Sequence, residues 1–559
     1  MSAATASEPV DAGARGRSWL LAALLAIGAL RIATLGVVPL IDKSEARYAE
    51  IGRQMVVTGN WLTPQLEAGR PFWGKPPLHF WATALGLSAL GSSELAARLP
   101  SLLGALVVLL VAGRVALQLR GAAVALLACL ILASCALFYT LAAQVSLDLT
   151  LTACTSLALA ATFLAHGQAN ARASRRLHWL GFLALGAGLL AKGPVMVALW
   201  AGTLALAALL SRDLRWLRGV PWASGSLLAA CVSLPWFLAA EHSTPGFLRY
   251  FFVHENFLRF LVSDYGDLYG HGHALPYGTI WGFALLALLP WSPAILVLAW
   301  KGLRTGTLAR LRQDPARAFL LAWSLTPLLF FTSSRSVVVT YLLPALPAVA
   351  VLLADALLPR DAVGEGVQPA ATARPGLAAG LLLGNGLVLV SVVVGLALLG
   401  HRVPVPLPVL VLLGALIAAC AAGLVGCARA PHQVRLILAT ALCIPLLDAG
   451  GRSLLAHEIG ALASTRELAA SARSMQRAQR CGLAFFRDVP FSARFYLGDA
   501  GFALERDPAR LHSLADDSAC RLVAMRRRDL RDLDPDALRG LHPVRDFGGY
   551  VLFGNAAAG

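Results

Sequence analysis

The chain has 559 residues, 57% of them hydrophobic and only 14% charged, whereas an ordinary soluble domain carries about 25% charged residues. That excludes a single soluble globule. The formal charge of +16 does not mark a nucleic-acid binder, because its Lys and Arg are scattered through short loops between apolar runs, where such charge sets the orientation of a membrane protein.

Apolar runs of about 20 residues, the length that crosses a hydrocarbon core, recur until about residue 450. About thirteen spans are predicted, over residues 18–38, 97–117, 122–141, 145–166, 177–191, 194–211, 221–240, 276–300, 316–332, 338–358, 375–400, 405–427 and 433–449. The first follows Arg15 and Arg17 and has no small-residue cleavage site, so it reads as a retained span and not a removed signal peptide. With the N-terminus cytoplasmic, the inside loops hold Arg172, Arg175 and Arg176, then Arg212, Arg215 and Arg218, then Lys301, Arg304, Arg310 and Arg312, then Arg429 and Arg435. Residues 360–375 read as a cytoplasmic linker. That parity puts residues 39–96, residues 241–275, the turn at 333–336 and the tail from about 450 on the other side.

The tail alternates short apolar stretches (483–486, 493–497, 550–553) with Arg, Asp and Gly, the pattern of a small α/β domain. The expected organisation is a membrane domain over residues 1–450, carrying extracytoplasmic loops 39–96 and 241–275, and a soluble extracytoplasmic domain over 451–559. Seven of the nine cysteines lie in apolar runs and show no metal spacing. The other two, Cys481 and Cys520, fall in the tail and are placed to form a disulfide if the tail faces an oxidising compartment.

Polar chemistry concentrates on the outside segments. Asp42 and Glu45 follow the first span at once, and on a helix they share a face at i, i+3, suited to binding a cation or sharing a proton; a solvated juxtamembrane helix would read the same way. Lys75 stands before Pro76 and Pro77, which fix its backbone and so hold an ammonium at a defined place for an anionic headgroup or phosphate; the neighbouring Trp73, Phe80 and Trp81 also fit an interfacial belt. Lys192 interrupts the apolar stretch 189–194, where a charge costs about 2.5–3.5 kcal/mol on insertion scales, which marks it as functional or as a snorkelling turn residue. Asp148 sits at the start of a span on the same side, as a cavity residue or a helix-start acid. His254, Glu255 and His271 are ligand types for a divalent metal, although their spacing matches no zinc signature; Arg259, Arg335 and Tyr341 add cations and a hydroxyl on that face. There is no P-loop, which argues against a nucleotide-driven pump, and no pair of matching Gly/Pro-interrupted halves to argue for a secondary transporter.

These residues fall into motifs: Glu45-Ala46-Arg47-Tyr48-Ala49-Glu50-Ile51, Gly59-Asn60-Trp61-Leu62-Thr63-Pro64, Lys75-Pro76-Pro77, residues 94–98, Leu190-Ala191-Lys192-Gly193-Pro194 and Tyr341-Leu342-Leu343-Pro344. On them the chain resembles, over nearly its whole length, the polytopic GT-C glycosyltransferases that use polyprenyl-phosphate sugars, especially the aminoarabinose lipid A transferases and the protein O-mannosyltransferases. The resemblance implies a polytopic α-helical fold with thirteen spans and an extracytoplasmic C-terminal domain. It also implies a bacterial inner-membrane location, an undecaprenyl-phosphate sugar donor, and a lipid A, glycolipid or protein acceptor. The acidic cluster after the first span is implied to be catalytic, with Arg47 and Lys75 on the lipid-linked phosphate and Tyr48 among the substrate contacts. Two positions depart from the pattern: Ser44 stands where the aminoarabinose transferases carry an Asp, leaving Asp42 and Glu45 as the acids, and Gly74 stands where they carry a metal-binding Glu.

The mechanism this predicts has Arg47 and Lys75 stabilising charge that builds on the phosphate as the glycosidic bond breaks. Asp42 or Glu45 orients or deprotonates the acceptor, with inversion at the anomeric carbon. A flippase for a lipid-linked sugar is the rival reading, since it too needs a cationic pocket beside lipid-facing spans.

Overall fold

The computed structural model describes residues 8–262, 265–271, 273–306, 311–358, 375–429, 433–498 and 501–558. Asp264 and residues 360–374 of the expected linker lie outside the described residues, as does the side chain of His271.

With no water in the hydrocarbon core to satisfy backbone polar groups, the apolar runs form helices. Among the described residues nine helices are long and apolar enough to cross a membrane, or ten if the bent pair Thr279–Ala287 and Ser292–Arg304, which meet at 116°, counts as one span. A helix or broken helix falls on every segment in which a span is predicted. The shorter ones, Ala122–Ser134 and Val195–Ser211, are apolar but fall below the length of a full crossing. Helices Pro375–Gly400 and Leu407–Arg429 expose Val390, Leu398, Leu407 and Val411, an apolar surface that only lipid covers without penalty.

Two breaks lie against each other. The helix pair α5 (Ala122–Ser134) and α6 (Ala136–Leu141) is interrupted at Cys135, and the bent pair at Pro290. The Ala136 N–H donates to the Leu289 carbonyl at 2.9 Å and the Trp291 indole to the Ser134 hydroxyl at 3.1 Å. Irregular backbone at membrane depth is tolerated because it is satisfied in this way inside protein.

Four further elements position the site. Helix α2 (Ser44–Thr58) follows the first span; α4 (Glu94–Arg120), α7 (Leu147–His166) and α8 (Ala171–Lys192) pack behind it. Helix α8 ends at Gly193, whose φ is +79° and where a Cβ would stand 2.6 Å from the Phe251 ring. Only glycine meets both demands.

Beyond the last span, helices cover a five-stranded sheet in the order β6 (Ala503–Glu505), β5 (Gly482–Phe486), β7 (Arg521–Arg526), β9 (Tyr550–Gly554), β8 (His542–Asp546), in which β5 runs parallel to β6 and β7 and the rest is antiparallel. Successive residues of β5 and β7 face opposite sides, so Phe485 and Leu522 enter one core while Phe486 and Val523 enter another. Cys481 and Cys520, one residue before each of these paired strands, form a disulfide.

Candidate active site

The loop between the first span and α2 is tied by one buried ion pair. Arg98, on the first turns of α4 and 1% exposed, donates to both carboxylate oxygens of Glu45 at 2.8 and 3.1 Å, and to the carbonyls of Leu35, Val38 and Pro39 at 2.8, 2.7 and 3.1 Å. Glu45 also accepts from the backbone N–H of Ile41 at 3.0 Å and of Val145 at 3.2 Å. Four donors fill the acceptor sites of one carboxylate. Glu45 thus lines the cavity described below as a structural knot, with its lone pairs engaged.

Asp42 has a different neighbourhood. Helix α2 begins at Ser44, so Asp42 lies outside it and the two acids do not share a helical face as expected. Its carboxylate accepts from the backbone N–H of Ser492 at 3.0 Å and from the Ser492 hydroxyl, and its own N–H donates to the Ala463 carbonyl at 2.8 Å. Burial pushes its pKa above the ordinary carboxylate value, against the two Ser492 hydrogen bonds. It faces the C-terminal sheet segment and is not among the cavity-lining residues.

That cavity has a volume of about 680 Å³, within the range of small-molecule sites. It gathers residues from six parts of the chain: Arg47 and Tyr48 from α2, Lys75 from the loop before α3 (Leu78–Leu90), Asp148 from the first turn of α7, Lys192 from the end of α8, Glu255 and Arg259 from the helical segment after Phe247, and Tyr341 from the 3-10 turn Val339–Ala345. Lys75 pairs with Glu255 and donates to the Gly74 carbonyl at 2.8 Å, and Glu255 also holds Arg259 at 2.9 Å. Lys192 pairs with Asp148, and its ammonium stands 4.3 Å from the centre of the Tyr341 ring.

Arg47 is the exception to this pairing. No carboxylate partners it among the described residues, and its Nε is buried without a hydrogen bond. Its guanidinium instead stands among three rings, 5.2 Å from Tyr48, 5.6 Å from Phe72 and 6.0 Å from Phe491. The lining thus carries four cations against three carboxylates, one of which, Glu45, is already neutralised by Arg98 behind the wall. A net positive concave surface of this kind suits an anion.

Two further sequence-predicted residues stand elsewhere. Arg335 donates to the Leu275 carbonyl at 3.1 Å and does not line the cavity. His254 hydrogen-bonds the Tyr265 hydroxyl and stacks on Tyr250, turned away from Glu255, its neighbour in the chain. Among the described residues no three His, Cys, Asp or Glu side chains converge as a metal set, so the expected His254, Glu255 and His271 constellation does not form from its described members. Gly74 adds a steric reason: a Cβ there would meet the Phe72 ring at 2.8 Å and Tyr269 at 3.3 Å, leaving no room for a liganding side chain without displacement.

Reading the sequence missed the part played by Arg98, although a charge in an apolar span is the signal that singled out Lys192. Phe72 and Phe491 were also missed, and no local pattern marks either as a neighbour of Arg47.

Residues 19–251 match the family described as dolichyl-phosphate-mannose-protein mannosyltransferase. The chain is 33% identical over 318 residues to the undecaprenyl phosphate-alpha-4-amino-4-deoxy-L-arabinose arabinosyl transferase 1 of Sodalis glossinidius, covering 56% of this chain and 53% of that protein. It is 32% identical over 365 residues to the transferase of the same description from Pseudomonas aeruginosa, covering 63% and 62%. The chain thus spans about half to three fifths of the length of these curated relatives. The fold matches the crystal structure of ArnT from Cupriavidus metallidurans bound to undecaprenyl phosphate with a TM-score of 0.74 at 22% identity, over 97% of this chain and 99% of that one. The resemblance read from the motifs is borne out.

Proposed function

We propose, from the premise that this chain is a multi-pass membrane protein of the GT-C fold, that it is an inverting glycosyltransferase. It takes a sugar of the 4-amino-4-deoxyarabinose class from undecaprenyl phosphate and passes it to an anionic acceptor of the lipid A type at the outer face of the inner membrane. The observation that carries this reading is Arg47, a cation without a carboxylate partner among the described residues, at the wall of a positively charged cavity. A phosphate that gains charge as its glycosidic bond breaks is stabilised there more in the transition state than before it, which is the condition for catalysis. Lys75 and Arg259 flank the same space, while Lys192, Asp148 and Tyr341 offer polar atoms to the sugar.

The carboxylates bear on the acceptor. Every carboxylate lining the cavity is ion-paired: Glu45 to Arg98, Asp148 to Lys192, Glu255 to Lys75 and Arg259. A hydroxyl acceptor needs a general base, whereas a phosphate is already an anionic nucleophile. The pairing therefore favours a phosphate acceptor and removes the demand for an Asp at Ser44.

In this reading residues 1–450 form the membrane domain with thirteen spans and a cytoplasmic N-terminus, and 451–559 form an extracytoplasmic domain. The loop charges support that orientation, and so does the Cys481–Cys520 disulfide, which belongs to an oxidising compartment.

The test is mass spectrometry of donor and acceptor after incubating the protein, purified into lipid, with undecaprenyl-phosphate-linked aminoarabinose and lipid A. Transfer that falls at least a hundredfold in Arg47→Ala is expected, the scale of losing one transition-state charge contact. Donor translocation across the bilayer with no change of acceptor mass would make the protein a flippase instead.

A further inference from the structure

The segment beyond the last span touches the cavity loop and its surroundings at several places, most of them supplied by the seven-residue helix Phe491–Leu497, with Ala463 and Arg466 adding contacts to Asp42 and Glu94. Ser492 holds the half-buried Asp42; the Tyr496 hydroxyl accepts from the Leu40 N–H at 2.7 Å and donates to Glu94 at 2.8 Å; Arg494 pairs with Glu67 at 2.6 Å. Phe495 is packed with Leu40, Ala46 and Val145. Phe491 joins that cluster and also the one formed by Ile51, Phe72 and Phe80. Burying a carboxylate such as Asp42 is unfavourable unless its partners are fixed, so this contact sets the height and angle at which Phe491 arrives.

Phe491 arrives beside Arg47. We propose that it is a positioning residue of the transfer reaction: the C-terminal domain completes the phosphate site by supplying the third ring around the Arg47 guanidinium, with Asp42 and Ser492 as the neighbouring lock. The inference rests on reading the cavity as the donor-phosphate site. An arginine on a flexible stem loses much rotamer freedom when it must grip a ligand, and three aromatic rings within 6.0 Å of its guanidinium restrict that freedom beforehand while leaving the N–H fork free of any competing carboxylate among the described residues. Asp42, expected from its position to be an acid of the reaction, acts in this account one step removed, through the ring that its partner's neighbour carries.

The experiment is a titration of undecaprenyl phosphate into the full chain in lipid nanodiscs, for the native protein, Phe491→Leu, Phe491→Tyr, Arg47→Ala and the Phe491→Leu, Arg47→Ala double variant. Leucine keeps most of the volume and removes the ring face. Phe491→Leu is expected to weaken binding about tenfold, Phe491→Tyr to restore it, and the double variant to bind no worse than Arg47→Ala alone, as coupled neighbours do. Strictly additive losses, or unchanged binding with only a lowered melting temperature, would overturn the inference and leave the cavity reading standing. Failure of the native chain to bind undecaprenyl phosphate would overturn the cavity reading, and this inference with it.

Discussion

Arg98 reaches Glu45 through two hydrogen bonds of 2.8 and 3.1 Å inside the protein, and the same guanidinium gathers three carbonyls of the loop that leads from the first span to the cavity. The pair closes that loop onto α4.

Removing either partner leaves an uncompensated buried charge, which typically costs 3–5 kcal/mol. Glu45→Ala and Arg98→Met are therefore both expected to lower the melting temperature of the purified protein, and Arg98→Met to abolish transfer even though Arg98 lines no part of the cavity. If Glu45→Ala leaves the melting temperature unchanged while transfer is lost, Glu45 is chemical and not structural.

Acid should loosen the C-terminal sheet segment at one identifiable contact. Burial favours the neutral form of Glu67, but Arg494 and Arg70 outweigh it and hold its pKa below the ordinary value. A carboxylate with a depressed folded-state pKa stabilises the docked state above its unfolded value of about 4.3, and that contribution is lost as pH falls through the folded value. Proteolytic release of the tail should rise across that window in the native chain. Glu67→Gln should flatten the dependence, with the contact already weakened at neutral pH; an unaltered profile in Glu67→Gln would assign the acid sensitivity elsewhere.

If the cavity holds the donor phosphate as proposed, Glu255 competes with it for the same cations. It holds Lys75 and Arg259 at the cavity wall, so an incoming phosphate exchanges these contacts for its own. Glu255→Gln keeps the shape and removes the negative charge; undecaprenyl phosphate should bind it at least about fivefold more tightly, since one charge contact at about 4 Å is worth about 1 kcal/mol even in bulk water and more at a lower effective dielectric. Weaker binding in equilibrium titration would mean that Glu255 matters more for aiming Lys75 than for competing with the ligand.

Much of this was legible in the sequence, and for physical reasons. Hydrocarbon thickness fixes span length, so the apolar runs showed where the membrane helices lie. A lysine inside such a run has to be justified by a partner, which Asp148 supplies. Lys75 was readable as a candidate phosphate cation because Pro76 and Pro77 fix its backbone, whereas the role of Arg47 came only from the family resemblance. The acids were not readable in the same way. Asp42 and Glu45 are three positions apart, yet one is claimed by Ser492, 450 residues away in sequence, and the other by Arg98 at a separation of 53. No local periodicity records such distant partners. His254 failed as a ligand for a similar reason: Tyr265 takes its Nδ1, while Glu255 beside it faces the cavity.

The bond from Ala136 to the Leu289 carbonyl binds the fates of two broken helices. That carbonyl has no partner to gain within its own helix, because the residue four positions on is Pro293, which carries no N–H, so losing the Ala136 bond would leave it unsatisfied in a medium with nothing else to donate, a loss of several kcal/mol. Mending the break at Cys135 would in turn draw the donor into its own helix and orphan the carbonyl. The break at Cys135 therefore cannot be repaired alone, and mutation and selection meet the two broken helices as one inheritable unit.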